Sequence, residues 1–172
     1  MNKILIITRS DDNECIARVS DAIRARGGDV IRLDTDRFPT DLRLTSRYEA
    51  AGAQCTFEQD GTLYDLNNVA AIWYRRLHVG VGIPETMAPQ LRRASIDESR
   101  ASLLGLIASL PVFQMDTFST VRHASIKPLQ LSVARSLGLQ IPRTLISNDP
   151  VKVREFAASC PGGIVAKMLT SF

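Results

Sequence analysis

Cysteine is scarce in this chain and long apolar runs are missing altogether. The three cysteines, Cys15, Cys55 and Cys160, are odd in number and far apart. They form no disulfide framework, and no neighbouring histidine or cysteine stands at metal-ligand spacing. A reducing cytoplasm and the absence of a zinc site are the expectations. The longest apolar run, residues 4–7, falls far short of the roughly 20 residues that span a bilayer. Met1-Asn2-Lys3 leads straight into that run without the pattern of a secretory signal. Charge of one sign is lacking too. The net charge is only +3, and acidic and basic residues alternate without a basic tail or stripe, which excludes the electrostatic footprint of a nucleic-acid partner.

What remains is an ordinary globular balance, 45% hydrophobic and 23% charged, in 172 residues. The run KILIIT (Lys3–Thr8) reads as a buried parallel strand. Asn13 is placed to cap a helix starting at Glu14, whose apolar stripe is Ile16, Val19, Ala22 and Ile23, and Gly27-Gly28 ends it. DVIRLD (Asp29–Asp34) completes a βαβ unit. Residues 41–66 read as an antiparallel excursion with a tight turn at Asp60-Gly61. Residues 69–75 return to a buried strand. A long helix over 84–110 follows, with Leu91, Ala94, Leu103, Leu104 and Ile107 on its apolar side, then a short strand at 112–115.

The last third is expected to hold a helix over 125–137 with the stripe Leu129, Val133 and Leu137, and a strand at 144–147. A helix over 151–159, capped by Asn148-Asp149-Pro150, and a strand at 164–169 complete it. That apolar strand has gained no covering layer by Phe172, so the expectation is a piece of a longer protein.

Residues 127–150, KPLQLSVARSLGLQIPRTLISNDP, resemble the segment that opens the ATP-binding part of ATP-grasp enzymes, and GGIVAK at 162–167 resembles the strand bearing their second lysine. Within that superfamily, SDDNE at 10–14, RLDTDRFP at 32–39 and IWYRR at 72–76 are similar to the ligases that cyclise microviridin-type peptides, the graspetides. The resemblance covers essentially the whole chain. It implies an α/β fold: a Rossmann-like pre-ATP-grasp domain, residues 1–118, with a parallel-type sheet flanked by helices. Residues 119–172 would begin the ATP-grasp nucleotide-binding domain. It further implies that ATP phosphorylates a side-chain carboxylate of a ribosomal precursor peptide, which a hydroxyl or amine of the same peptide attacks to close an ω-ester or ω-amide ring. The implied cofactors are ATP and Mg²⁺, and the implied partners are a precursor peptide with its leader and a second copy in a homodimer. The family's phosphate loop and Mg²⁺ ligands have no counterpart here, so this segment alone is expected to be inactive.

Four residues are singled out. A phosphoryl transition state is rich in negative charge and needs positioned cations. Lys127 stands where the family places a phosphate-facing lysine, near the positive end of a helix; the alternative is a solvated surface lysine. Lys167 interrupts the apolar run 164–169, and facing an anionic ligand would resolve the cost of a charge there; the alternative is that it points outward by alternation. Arg75 and Arg76 end a strand where parallel sheets hold their ligands, and they suit an acidic peptide side chain or a phosphate. Alternatively they are rim residues paired with Asp34, Asp36 or Glu98. Asp34, Asp36 and Arg37 read equally as a loop-fixing ion cluster.

Other signals carry nothing. Gly80-Val-Gly82 lacks the rest of a dinucleotide fingerprint, and Ser10 lacks the glycines of a nucleophile elbow. Asp11, Asp12 and Glu14 match no metal loop and read as helix capping. His78 and His123 are isolated. A rival reading is a non-catalytic peptide- or partner-binding module, and a third is an ATP-grasp ligase acting on another small carboxylic acid.

Overall fold

A computed structural model of the chain describes residues 2–169. It divides into two compact units, Met1–Phe118 and Ser119–Phe172.

In the first unit, β1 (Lys3–Thr8) and β2 (Asp29–Asp34) pair in parallel around α1 (Cys15–Ala25). The N-cap position of α1 is Glu14, whose side chain makes no capping bond, while Asn13 Oδ1 one residue earlier accepts from the Cys15 amide at 3.1 Å. Gly27 ends the helix at φ 78, and a Cβ on Gly28 would lie 2.7 Å from Ile23 Cγ2, so the turn into β2 needs both glycines. The four-stranded sheet has the order β2-β1-β6-β7 and is parallel throughout, with β6 (Val69–Tyr74) and β7 (Phe113–Met115). Residues 41–66 form the expected excursion: β3 (Arg43–Glu49), β4 (Gly52–Gln59) and β5 (Thr62–Asp65) in an antiparallel sheet. Asp60 and Gly61 both take positive φ, 52 and 72, as a two-residue hairpin turn of this hand requires.

The helix expected over 84–110 is α2 (Pro89–Ser109) and starts five residues later. Ala88, preceding Pro89, is held extended at φ −51 and ψ 131, because a proline ring bars the helical region to its predecessor. The buried stripe also differs from the expected one. Leu91 is 62% exposed and Ala94 is exposed, while Ser99, Leu103, Leu106 and Ile107 are buried. One contiguous core holds Leu5, Ile7, Leu33, Ile72, Leu103 and Ile107 together with Leu42, Phe57 and Leu66 from the antiparallel excursion. Each such apolar side chain, fully buried, contributes about 1.5–3 kcal/mol.

The second unit contains α4 (Lys127–Ser136) and α5 (Pro150–Ala158), and α3 (Phe118–Ala124) spans the boundary. α3 was not expected. The cap of α5 was: Asp149 Oδ1 accepts from the Val151 amide at 2.8 Å. The strands expected at 144–147 and 164–169 are not formed. A β-strand is defined by its ladder, and neither segment has a hydrogen-bonded neighbour. No residue of 119–169 is buried. Among the described residues, no helix is long and apolar enough to cross a membrane.

Candidate functional site

The strand order sets where a ligand would meet the parallel sheet. From β1 the chain passes to β2 on one flank, and β6 lies on the other. Connections that diverge from neighbouring strands leave a crevice beyond their carboxyl ends, the usual ligand position in open parallel sheets. The residues around this point are Thr8 to Asp12 after β1, Asp34 to Arg37 after β2, and Arg75 and Arg76 after β6.

Backbone bonds fix both arginines. Their amides donate to the same carbonyl, Ile7 O, at 3.0 and 3.1 Å, which holds the start of the loop against the end of β1. Their side chains converge on Asp12: Arg75 Nε is 3.5 Å from Oδ2 and Arg76 Nε 3.5 Å from Oδ1. The Asp12 side chain is wholly covered. Thr8 Oγ1 donates to its Oδ2, and the Asn13 amide to its Oδ1 at 2.8 Å. Burial works against the ionised carboxyl, but the bonds from Thr8 and Asn13 and the charges of Arg75 and Arg76 outweigh it, so Asp12 titrates below the usual aspartate range. Two guanidinium charges face one carboxylate, and Arg75 Nε is buried without a hydrogen-bond partner. The three side chains together carry one net positive charge.

The walls are equally organised. Thr35 Oγ1 is fully buried, donates to Thr8 O at 2.8 Å and accepts from the His78 amide at 3.0 Å, so one hydroxyl ties the ends of β1 and β2 to the loop after β6. Asp36 accepts from the Ser10 amide at 2.8 Å and from its hydroxyl. Burial raises the Asp36 pKa, but these bonds prevail and lower it overall. Arg32 donates to Asp34 at 2.7 Å and to the carbonyls of Arg9 and Ser10. Arg37 makes a two-pronged pair with Asp60, at 2.8 and 2.7 Å.

Asp34, Asp36 and Arg37 fasten loops, as one of their two sequence readings had it, through Arg32, Ser10 and Asp60 respectively. The partner of Arg75 and Arg76 is Asp12, not Asp34, Asp36 or Glu98. Asp12 was read as a helix cap, and its part in this cluster was missed. The available signal was its position four residues after Thr8, on the loop facing the β6 end. Among the described residues no three His, Cys, Asp or Glu side chains converge for a metal. Asp11 pairs with Arg9 and Glu14 with Arg18 instead.

The two lysines lie in the second unit. Lys127 is the first residue of α4, and its exposed Nζ donates only as far as Gln130 Oε1 at 3.2 Å, one turn on. Lys167 is exposed in irregular backbone, so the argument from a charge buried in a strand does not apply to it. Both amines are accessible to a nucleotide's phosphates and fit them in kind. A Mg²⁺ ion finds no comparable donor set among the described residues.

A parallel sheet flanked by helices, with two arginines paired to one aspartate at its switch point, defines an α/β domain. The chain belongs to the family of the MvdD pre-ATP grasp domain, which matches residues 3–122. It is similar over 99% of its length to the macrocyclase MdnC from Microcystis aeruginosa MRC, solved bound to precursor peptide MdnA, with 44% identity and a TM-score of 0.90, covering 56% of that chain. Macrocyclase MdnB from the same organism is 32% identical over 92% of this chain and 52% of its own, with a TM-score of 0.85. A RiPP-associated ATP-grasp ligase from Chryseobacterium gregarium, solved with ADP and a leader and core peptide, is 31% identical over 92% of this chain and 48% of its own, with a TM-score of 0.81. The chain thus spans about half the length of these solved relatives. No curated protein is matched by it.

Proposed function

We propose that the chain is the leading portion of an ATP-grasp ligase that activates side-chain carboxylates of a ribosomal precursor peptide and closes them into ω-ester or ω-amide rings of the microviridin type. What carries this reading is the Asp12–Arg75–Arg76 cluster at the switch point of a chain 44% identical to a macrocyclase solved with its precursor. Arg75 and Arg76 meet an acidic side chain of the peptide, and their shared pairing with Asp12 orients both forks toward it. Residues 119–172 open the nucleotide-binding domain, where Lys127 and Lys167 face the phosphates. ATP, when bound with Mg²⁺, supplies the phosphoryl group that turns the carboxylate into an acyl phosphate. Attack by a hydroxyl or amine of the peptide expels phosphate, with net loss of one water per ring. The ligase works in the cytoplasm, on a peptide guided by its leader, as a homodimer.

The whole protein carrying this chain, incubated with ATP, Mg²⁺ and its precursor peptide, is expected to yield products lighter by one water per ring by mass spectrometry. Arg75→Ala and Arg76→Ala should each slow cyclisation with little change in melting temperature. A stable variant with unchanged kinetics removes that arginine from the substrate site. Lys167→Ala should abolish ring formation while the precursor still binds, and normal dehydration by that variant would refute its role.

A further inference from the structure

Away from the Asp12 cluster, the first half of α2 and the loop before it enclose a groove of about 470 Å³, within the range of ligand-sized cavities. Its walls carry Arg92, Arg93 and Arg100 against Glu85 and Asp97, and Met87 and Ile96 supply apolar surface. Asp97 is already engaged, accepting from Arg93 Nε at 2.9 Å. Three guanidiniums against two carboxylates leave the groove positive. Arg92 Nε is buried with no hydrogen-bond partner, a donor withdrawn from water that an anionic ligand would satisfy. The apolar surface is held in place. Gly80 packs so closely that a Cβ there would lie 2.8 Å from Ile96 Cγ1, and the Ser95 hydroxyl meets Met87 Sδ at 3.9 Å. Burial raises the pKa of Tyr74, and the charge of Arg100 acts on the same hydroxyl to lower it. Tyr74 is the last residue of β6, directly before Arg75 and Arg76.

We propose that this groove binds an acidic, leucine-like stretch of the peptide substrate, with carboxylates on Arg92 and Arg100 and an apolar side chain on Met87 and Ile96. The inference rests on the reading of the chain as part of a peptide ligase, and it adds a second contact surface that sets which peptides are held. The arginines supply charge-assisted forks and the alternating apolar contact supplies register, so free anions satisfy only half of the site.

The test is fluorescence anisotropy of the chain with a short labelled peptide alternating glutamate and leucine, against the same peptide with glutamine. The glutamate peptide should bind, and the glutamine peptide should bind on the order of tenfold more weakly. Arg92→Gln and Arg100→Gln should each weaken binding by a similar factor, whereas Asp97→Asn, which frees Arg93, should tighten it. That opposite sign separates recognition from a general loss of folding. Equal binding of the two peptides, unchanged affinity in both arginine variants, or displacement by ATP as effective as by unlabelled peptide would overturn the proposal. In the whole protein, Arg92→Gln and Arg100→Gln should raise KM for the precursor and spare kcat. Rings formed with unchanged KM would remove the groove and leave the ligase reading intact. Absent ring formation with normal groove binding would do the reverse.

Discussion

The two units use the same vocabulary of capped helices and apolar runs, yet among the described residues only the first has fully buried side chains. In Met1–Phe118 the apolar residues of three parallel strands, α2 and the antiparallel excursion close on a single core. In residues 119–169 Leu137, Leu139, Ile141, Val165 and Leu169 remain exposed, and α4 and α5 have no buried residue. Local signals such as the Asp149 cap and the proline that begins α5 are enough to specify a helix. They do not specify a strand, which needs a partner. Propensity writes helices one at a time, whereas sheets are written by the company they keep.

Core truncation should separate the two units most sharply. Leu103 is 0% exposed, so Leu103→Ala should cost about 2–5 kcal/mol in urea denaturation. Leu137 is 71% exposed, and Leu137→Ala should stay within about 0.5 kcal/mol. Equal costs would mean that the second unit has a core of its own.

Asp12→Asn should have the next largest effect, about 1–3 kcal/mol, because it leaves two arginines and the buried Arg75 Nε without their carboxylate. The pH dependence sharpens the test. The pKa of Asp12 is depressed in the folded chain, so its contribution is present above the unfolded value of about 4 and is lost as pH falls through the folded value. The stability gap between wild type and Asp12→Asn should therefore narrow as pH drops below about 4, and a gap independent of pH would discard the electrostatic account. A smaller effect is expected at the α5 cap in the second unit. Asp149→Ala should lower the helicity of α5 by circular dichroism, at a cost of about 1 kcal/mol, and an unchanged spectrum would show that the cap is dispensable.

The parallel sheet was legible in the sequence because KILIIT and VAAIWY are short, mostly apolar runs and DVIRLD keeps its apolar residues at Val30, Ile31 and Leu33, each segment sitting between turn or helix signals. The Asp60-Gly61 turn was legible because few dipeptides accept two positive φ angles in succession. The front of α2 was not. Its inward stripe passes through Arg92, Ser95 and Ser99, whose polarity conceals the period, so Leu91 and Ala94 were taken for the apolar side. For the site, the positions of Arg75 and Arg76 could be read from the end of β6. Their partner was missed, because Asp12 lies sixty-odd residues away and the parallel register of β1 and β6 is what brings it alongside. The strands expected at 144–147 and 164–169 failed for the complementary reason, being apolar runs whose pattern says nothing about whether a neighbour is present.

The Thr35 hydroxyl limits what can drift at its position. Valine has nearly the same shape and would fill the same space, but it would take this hydroxyl away from the buried Thr8 carbonyl and from the part-buried His78 amide. Serine loses a methyl group and keeps both bonds. A saturation library at this codon, sorted for folded protein, should therefore return threonine and serine and discard valine, the reverse of what side-chain volume or hydropathy alone would select.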